Sequence, residues 1–166
     1  MRAAPQRGFT LVEAVIVLAV TAILLALALP SWGSFTTRAR LLSASEALVH
    51  DLGLARQEAA QRGVPLYLLP QAGTAWCWAI SAQAGCDCRQ PAASCALRVV
   101  DATEHRGVEL LAAHTMRFDP ADGRSDGGLA AAWRASSAYA AQVHVHPFGR
   151  ARLCSSGAAL RGVPAC

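Results

Sequence analysis

The sequence predicts an α+β fold, with one long N-terminal helix followed by a small, mostly antiparallel β domain. The first observation behind it is an apolar run from Phe9 to Leu29, 21 residues in which Glu13 is the only charge. The second is a stripe of Leu41, Ala44, Leu48, Leu52, Ala55 and Ala59, recurring at steps of three or four, which is the period of one helix face. The third is a change of pattern after Gly63: short apolar segments follow, parted by Gly, Pro, Asp and Ser, as strands and turns are.

The apolar run has the length that crosses a bilayer as a helix. Arg2 and Arg7 precede it, which places the short N-terminus on the cytoplasmic side. A cleaved secretory signal, with a site near Ala28 or Ser31, or a plain signal anchor would share these features. Neither accounts for Glu13, because a carboxylate at membrane depth costs about 2.5 to 3.5 kcal/mol and needs a cation brought to it.

Beyond Pro30 the helix continues. Arg38, Arg40, Glu46, Arg56 and Glu58 occupy the surface left by the apolar stripe, and Gly63 with Pro65 marks the stop. A helix over Phe9–Arg62 has 54 residues and measures about 80 Å at 1.5 Å per residue. After it, "VPLYLLP", "TAWCWAIS", "CALRVVD", "GVELLAA", "TMRFDP", "AQVHVHP" and "RARLC" read as strands. The Ala-rich 128–135 segment is ambiguous between helix and strand.

All 15 basic residues are arginines, against 11 acids. Arginine favours fork-shaped contacts with carboxylates and phosphates. The last acid is Asp126, so Arg134, Arg150, Arg152 and Arg161 stand on an acid-free C-terminal segment. Such a local excess attracts polyanions. Within it, Arg150 and Arg152 alternate with Ala151 and Leu153; on a strand the two guanidinium groups share one face, roughly 6.6 Å apart. That spacing suits a charge-led contact to a phosphate backbone, with Arg161 as a weaker third contributor.

Six cysteines, at 77, 86, 88, 95, 154 and 166, all follow the apolar run, which suggests disulfides in an oxidising compartment. Pairing Cys154 with Cys166 closes a 13-residue loop, worth roughly 3 kcal/mol in the chain-entropy model, and pins the tail carrying Arg161 beside the Arg150–Arg152 strand. Cys77, Cys86, Cys88 and Cys95 allow three connectivities, of which the one containing Cys86–Cys88 is least favoured because its ring is small.

Other constellations carry less. His144 and His146 share a face near Cys154, a pattern found in zinc sites, but two further ligands are lacking and disulfides consume the cysteines. Trp76 and Trp78 could stack on bases, although core packing is the simpler reading. Asp119, Asp122 and Asp126 colour "DPADGRSDGG" like a calcium loop, yet the twelfth-position Glu of an EF-hand is missing. No phosphate loop, Ser-His-Asp set or paired carboxylates stand out, so neither an enzyme nor a cofactor is expected.

"RGFTLVEAVIVLAVTAILLALALP" resembles the N-terminus of type IV pilins and pseudopilins. The resemblance implies a leader over 1–8, cut by prepilin peptidase between Gly8 and Phe9, and methylation of the new amine on Phe9. It implies a transmembrane or filament-core half over 9–29, with a helix-loosening proline at Pro30. An amphipathic half over 30–62 and a β-rich periplasmic domain over 63–166 complete the organisation. Glu13 becomes an assembly residue that meets the Phe9 amine of a neighbouring subunit. The implied protein is single-pass in the inner membrane and enters a pilus or pseudopilus beside other pilins or pseudopilins.

Further along, "ARQEAAQRGVPLYLLP", the Trp-bearing strand, "MRFDPADGR" and "VHVHPFGRARLC" resemble the GspH/FimT branch of minor pilins. "GRAR" at 149–152 matches a Gly-Arg-any-Arg motif that in FimT-like pilins is associated with DNA binding during natural transformation. A GspH-like pseudopilin of a type II secretion system is the alternative, and a metal-binding domain on a signal anchor is a third. The cysteine-rich "CWAISAQAGCDCRQPAASC" departs from the branch and leaves the local structure around 77–95 open.

Overall fold

A computed structural model describes residues 10–90 and 95–166, and for 27–31 the backbone alone. The chain divides into two units, Met1–Thr36 and Thr37–Cys166. Helix α1, Leu11–Arg62, contributes to both. Gly8 and Phe9 lie outside the described residues, as does the 91–94 segment of the cysteine-rich insert.

In the first unit, α1 begins at Leu11; the expected start, Phe9, lies outside the described residues. Thr10 caps it: the Glu13 amide donates to Thr10 Oγ1 at 3.2 Å, which removes one of the orphan N–H groups of the first turn. Thr10-Leu-Val-Glu13 thereby has the spacing of a capping box, and the Glu13 carboxylate sits at the positive end of the helix dipole. The Thr21 hydroxyl donates back to the Val17 carbonyl at 2.7 Å, so this polar side chain is satisfied inside an apolar stretch. Leu11, Val12, Ile16, Leu18, Ile23 and Leu24 are all exposed, an apolar surface of the kind that marks protein or membrane contact. Where the sequence places a span over 9–29, no helix among the described residues is long and apolar enough to cross a membrane. The side chains described within that range are those of 10–26. The helical backbone continues through Pro30.

In the second unit, α1 ends at Arg62 because Gly63 takes a left-handed conformation, φ 66°, and its amide closes on the Ala59 carbonyl at 3.0 Å. This is the usual glycine stop. The stripe of Leu41, Ala44, Leu48, Leu52, Ala55 and Ala59 is entirely buried. It joins one core with side chains of two antiparallel sheets.

The first sheet has the order β3-β2-β1-β5 and the second β4-β6-β7-β8. The strands are β1 Leu66–Gln71, β2 Cys77–Ser81, β3 Ala96–Asp101, β4 Glu109–Ala113, β5 Met116–Phe118, β6 Gly128–Arg134, β7 Ala140–Val145 and β8 Ala151–Ser155. The ambiguous Ala-rich segment is thus a strand, β6, central in its sheet. Its pairing with β4 and β7 and the burial of Ala130, Ala131 and Trp133 override the helical propensity of alanine. A bridge between Gly73 and Leu110 links the two sheets.

Trp76, Trp78 and Trp133 are fully buried at the centre. Trp76 and Trp78 stack at 5.3 Å, and both meet Trp133 edge-on, at 4.9 and 5.8 Å. These are the favoured aromatic geometries. Trp76 Nε1 donates to the Val108 carbonyl at 2.8 Å, and Trp78 Nε1 to Asp51 Oδ2 at 2.9 Å. Trp133 Nε1 is the buried side-chain polar atom without a partner among the described residues.

Three disulfides are present: Cys77–Cys88, Cys86–Cys95 and Cys154–Cys166. The first two interleave in sequence, so the loop after β2 is tied both to β2 at Cys77 and to Cys95, immediately before β3. That is one of the three connectivities the spacing left open.

Candidate functional site

Strands β7 and β8 form a hairpin at the edge of the second sheet, in which His144 pairs with Arg152 and Val145 with Ala151. The connection is His146-Pro147-Phe148-Gly149-Arg150. The His146 amide donates to the Arg150 carbonyl at 2.8 Å, and the Gly149 amide to the His146 carbonyl at 2.7 Å. Gly149 has φ 74° and is packed so tightly that a Cβ would collide with the Gly123 carbonyl oxygen. Only glycine meets both demands.

Arg150 lies one residue before β8, not within it as the sequence suggested, because its carbonyl closes the turn while the ladder begins at Ala151. Arg150 and Arg152 nevertheless line one groove of about 510 Å³, together with His144, His146 and Phe148. Both arginines are exposed, and neither belongs to an ion pair among the described residues. His144 Nε2 lies 3.0 Å from Gln142 Oε1. His146 Nδ1 accepts from the Phe148 amide at 3.3 Å, which assigns the ring proton to Nε2 when the ring is neutral.

Arg150 also borders a second groove, shared with Arg56, Gln57, Asp122 and Gly123. In the sequence Arg56 reads only as part of the solvated helix face. Its half-buried stem runs past the α-carbons of Gly123 and Gly149, so a third cation is brought towards the Arg pair from α1. The signal that could have found it is weak: Arg56 is one of several polar residues on that face, and its neighbours are distant in sequence.

Other predicted residues fall elsewhere. Arg161 is exposed but lines neither groove. The tail that carries it does lie along the end of β8: the Ser155 amide donates to the Pro164 carbonyl at 2.8 Å and the Cys166 amide to the Ser155 carbonyl at 3.0 Å. Asp119 and Asp122 are turn caps, accepting from the Ala121 and Arg124 amides at 2.9 Å each. All six cysteines are in disulfides, and no group of three or more potential metal ligands occurs among the described residues. Glu13 stands exposed in the first turn of α1.

A family profile described as type II transport protein GspH matches residues 44–149, most of the chain. The chain belongs to the GspH family. A second profile, the prokaryotic N-terminal methylation motif, matches residues 4–29 and covers Gly8, Phe9 and Glu13. Together they make this GspH-family protein a minor pilin or pseudopilin, a kind of subunit processed by prepilin peptidase and assembled with other pilins or pseudopilins. The GspH match stops at Gly149, so Arg150, Arg152 and Arg161 lie beyond it. No curated protein and no solved structure matches the chain.

Proposed function

We propose that this protein is a FimT-like minor type IV pilin, a non-catalytic filament subunit that binds DNA without sequence preference during natural transformation. The observation that carries the reading is the pair Arg150 and Arg152, exposed in one groove and, among the described residues, outside any ion pair. Guanidinium groups that neutralise phosphates displace the cations condensed on the DNA, so binding is electrostatic and weakens with salt. In this reading cleavage falls between Gly8 and Phe9, the Phe9 amine is methylated, and residues 9–29 anchor the chain in the inner membrane with the disulfide-bonded domain in the periplasm. Glu13 pairs with the Phe9 amine of the next subunit during assembly.

The test is fluorescence anisotropy of labelled duplex DNA with the full-length protein in detergent, over about 50 to 200 mM salt. Wild-type binding should fall with salt. The Arg150→Gln/Arg152→Gln variant should bind weakly, with a slope of log K on log salt shallower by about 1.8. Equal binding by both proteins would defeat the assignment. The second reading, a pseudopilin of a type II secretion system, is favoured by the description of the matching family, and absence of DNA binding in both proteins would move the conclusion there.

A further inference from the structure

The groove that holds Arg150 and Arg152 contains a second kind of chemistry. Phe148, at the tip of the β7–β8 hairpin, is 58% exposed. A single exposed apolar residue is ordinary; the surroundings of this one are not. The His146 ring stacks with it at 5.1 Å and 28°. The Arg124 guanidinium lies over the ring, 5.4 Å from its centre. Phenyl, imidazole and guanidinium are all planar groups that stack on nucleobases, and here the three adjoin one another beside two arginines that form no ion pair among the described residues.

The ring is also held in place. Pro147 precedes it, the left-handed Gly149 follows it, and the two turn hydrogen bonds between His146, Gly149 and Arg150 brace the backbone on either side. A rigid aromatic pays little entropy on stacking. Duplex DNA keeps its base faces stacked inside and offers this ring nothing but phosphates and groove edges. An unpaired base has both faces free.

We propose that Phe148 is a stacking platform for an unpaired base, so that the groove prefers single-stranded DNA. Arg150 and Arg152 hold the phosphates flanking the stacked base, while His146 and Arg124, which already lie against the ring, hold it in place and leave its exposed remainder to the base. Arg124 contributes with part of its charge engaged, since Asp122 lies 3.8 Å from its Nε. This inference rests on the DNA-binding reading above and adds to it the form of DNA.

The experiment compares a labelled oligothymidylate with a labelled duplex of equal length, using the full-length protein in detergent and anisotropy as the readout. Phe148→Ala and Phe148→Leu should each weaken oligothymidylate binding about tenfold and change duplex binding less than about twofold. Phe148→Trp should restore or exceed wild-type affinity for the single strand. Because the side chain is exposed, all three should melt with the wild type. Equal losses on both DNAs, or no loss on either, would overturn the platform. A protein that binds duplex through Arg150 and Arg152 but ignores changes at Phe148 would overturn this inference alone. One that binds neither DNA would overturn the DNA-binding reading with it.

Discussion

Asp51 is completely buried, and Arg98 of β3 reaches in to it, with Nε 2.7 Å from Oδ1. Oδ2 takes a second contact from Arg98 Nε at 2.8 Å and the indole N–H of Trp78 at 2.9 Å. The half-exposed Arg98 guanidinium is held above its ordinary pKa, chiefly by the hydrogen bond to Asp51 and then by the charge of that carboxylate. One carboxylate on α1 therefore fastens β2 and β3 of the first sheet to the helix.

Asp51→Ala should cost about 2 to 4 kcal/mol, read from urea unfolding midpoints. Removing one member of a buried pair leaves the others without compensation, although the exposure of Arg98 lets water offset part of the loss. Asp51→Asn keeps an acceptor for Trp78 and should lose less. If the two variants were equally destabilised, the contact to Trp78 would carry nothing and the charge everything.

The helix stripe was legible because a 3.6-residue period survives any tertiary context that buries one face, as Leu41 through Ala59 show. Asp51 was not, since a lone acid beside Leu52 reads as the edge of the polar face until Trp78 and Arg98 are placed. Alanine has no strand preference, so β6 became visible only through its pairing with β4 and β7. The Arg150–Arg152 pair stood out because all acids end at Asp126. The approach of Arg56 to Gly149 depends on chain segments meeting from far apart, which no local pattern encodes.

At the far end of β3, the Asp101 carboxyl is held below the ordinary aspartate value of 3.8, first by the Thr103 hydroxyl and then by the Thr103 amide. A depressed folded-state pKa adds stability above the unfolded value, and that stability is lost as pH falls through the folded value. Thr103→Val removes the larger contributor. The variant should be slightly less stable than wild type at pH near 7, and the difference should shrink as pH is lowered below about 3.8. Urea midpoints over that range check it; a gap that widens in acid would contradict the assignment.

Removing Cys154–Cys166 as the double serine variant should lower stability by roughly 3 kcal/mol in the chain-entropy model, visible as a drop in melting temperature. Under the proposed DNA binding, affinity for DNA at low temperature should change little. The backbone around Arg150 is held by the hairpin turn and by the β7–β8 ladder, both independent of the tail. Loss of binding without loss of fold would instead place Arg161, or another tail residue, in the contact.

Gly149 and Gly63 have nearly the same left-handed backbone, φ 74° and 66°, but different surroundings. A Cβ at Gly63 would meet open space, whereas one at Gly149 would run into the Gly123 carbonyl oxygen and the Arg56 side chain. Gly63→Ala should therefore cost only the backbone strain, about 1 to 2 kcal/mol. Gly149→Ala should add overpacking, for a total of about 2 to 4 kcal/mol, and shift the turn that presents Phe148 and Arg150. Chemical denaturation of the two variants measures the difference, and anisotropy with DNA measures the consequence. Under the proposed DNA binding, Gly63→Ala should bind as wild type does and Gly149→Ala more weakly; equal binding by both would mean that the hairpin tip tolerates displacement and that the glycine serves packing alone.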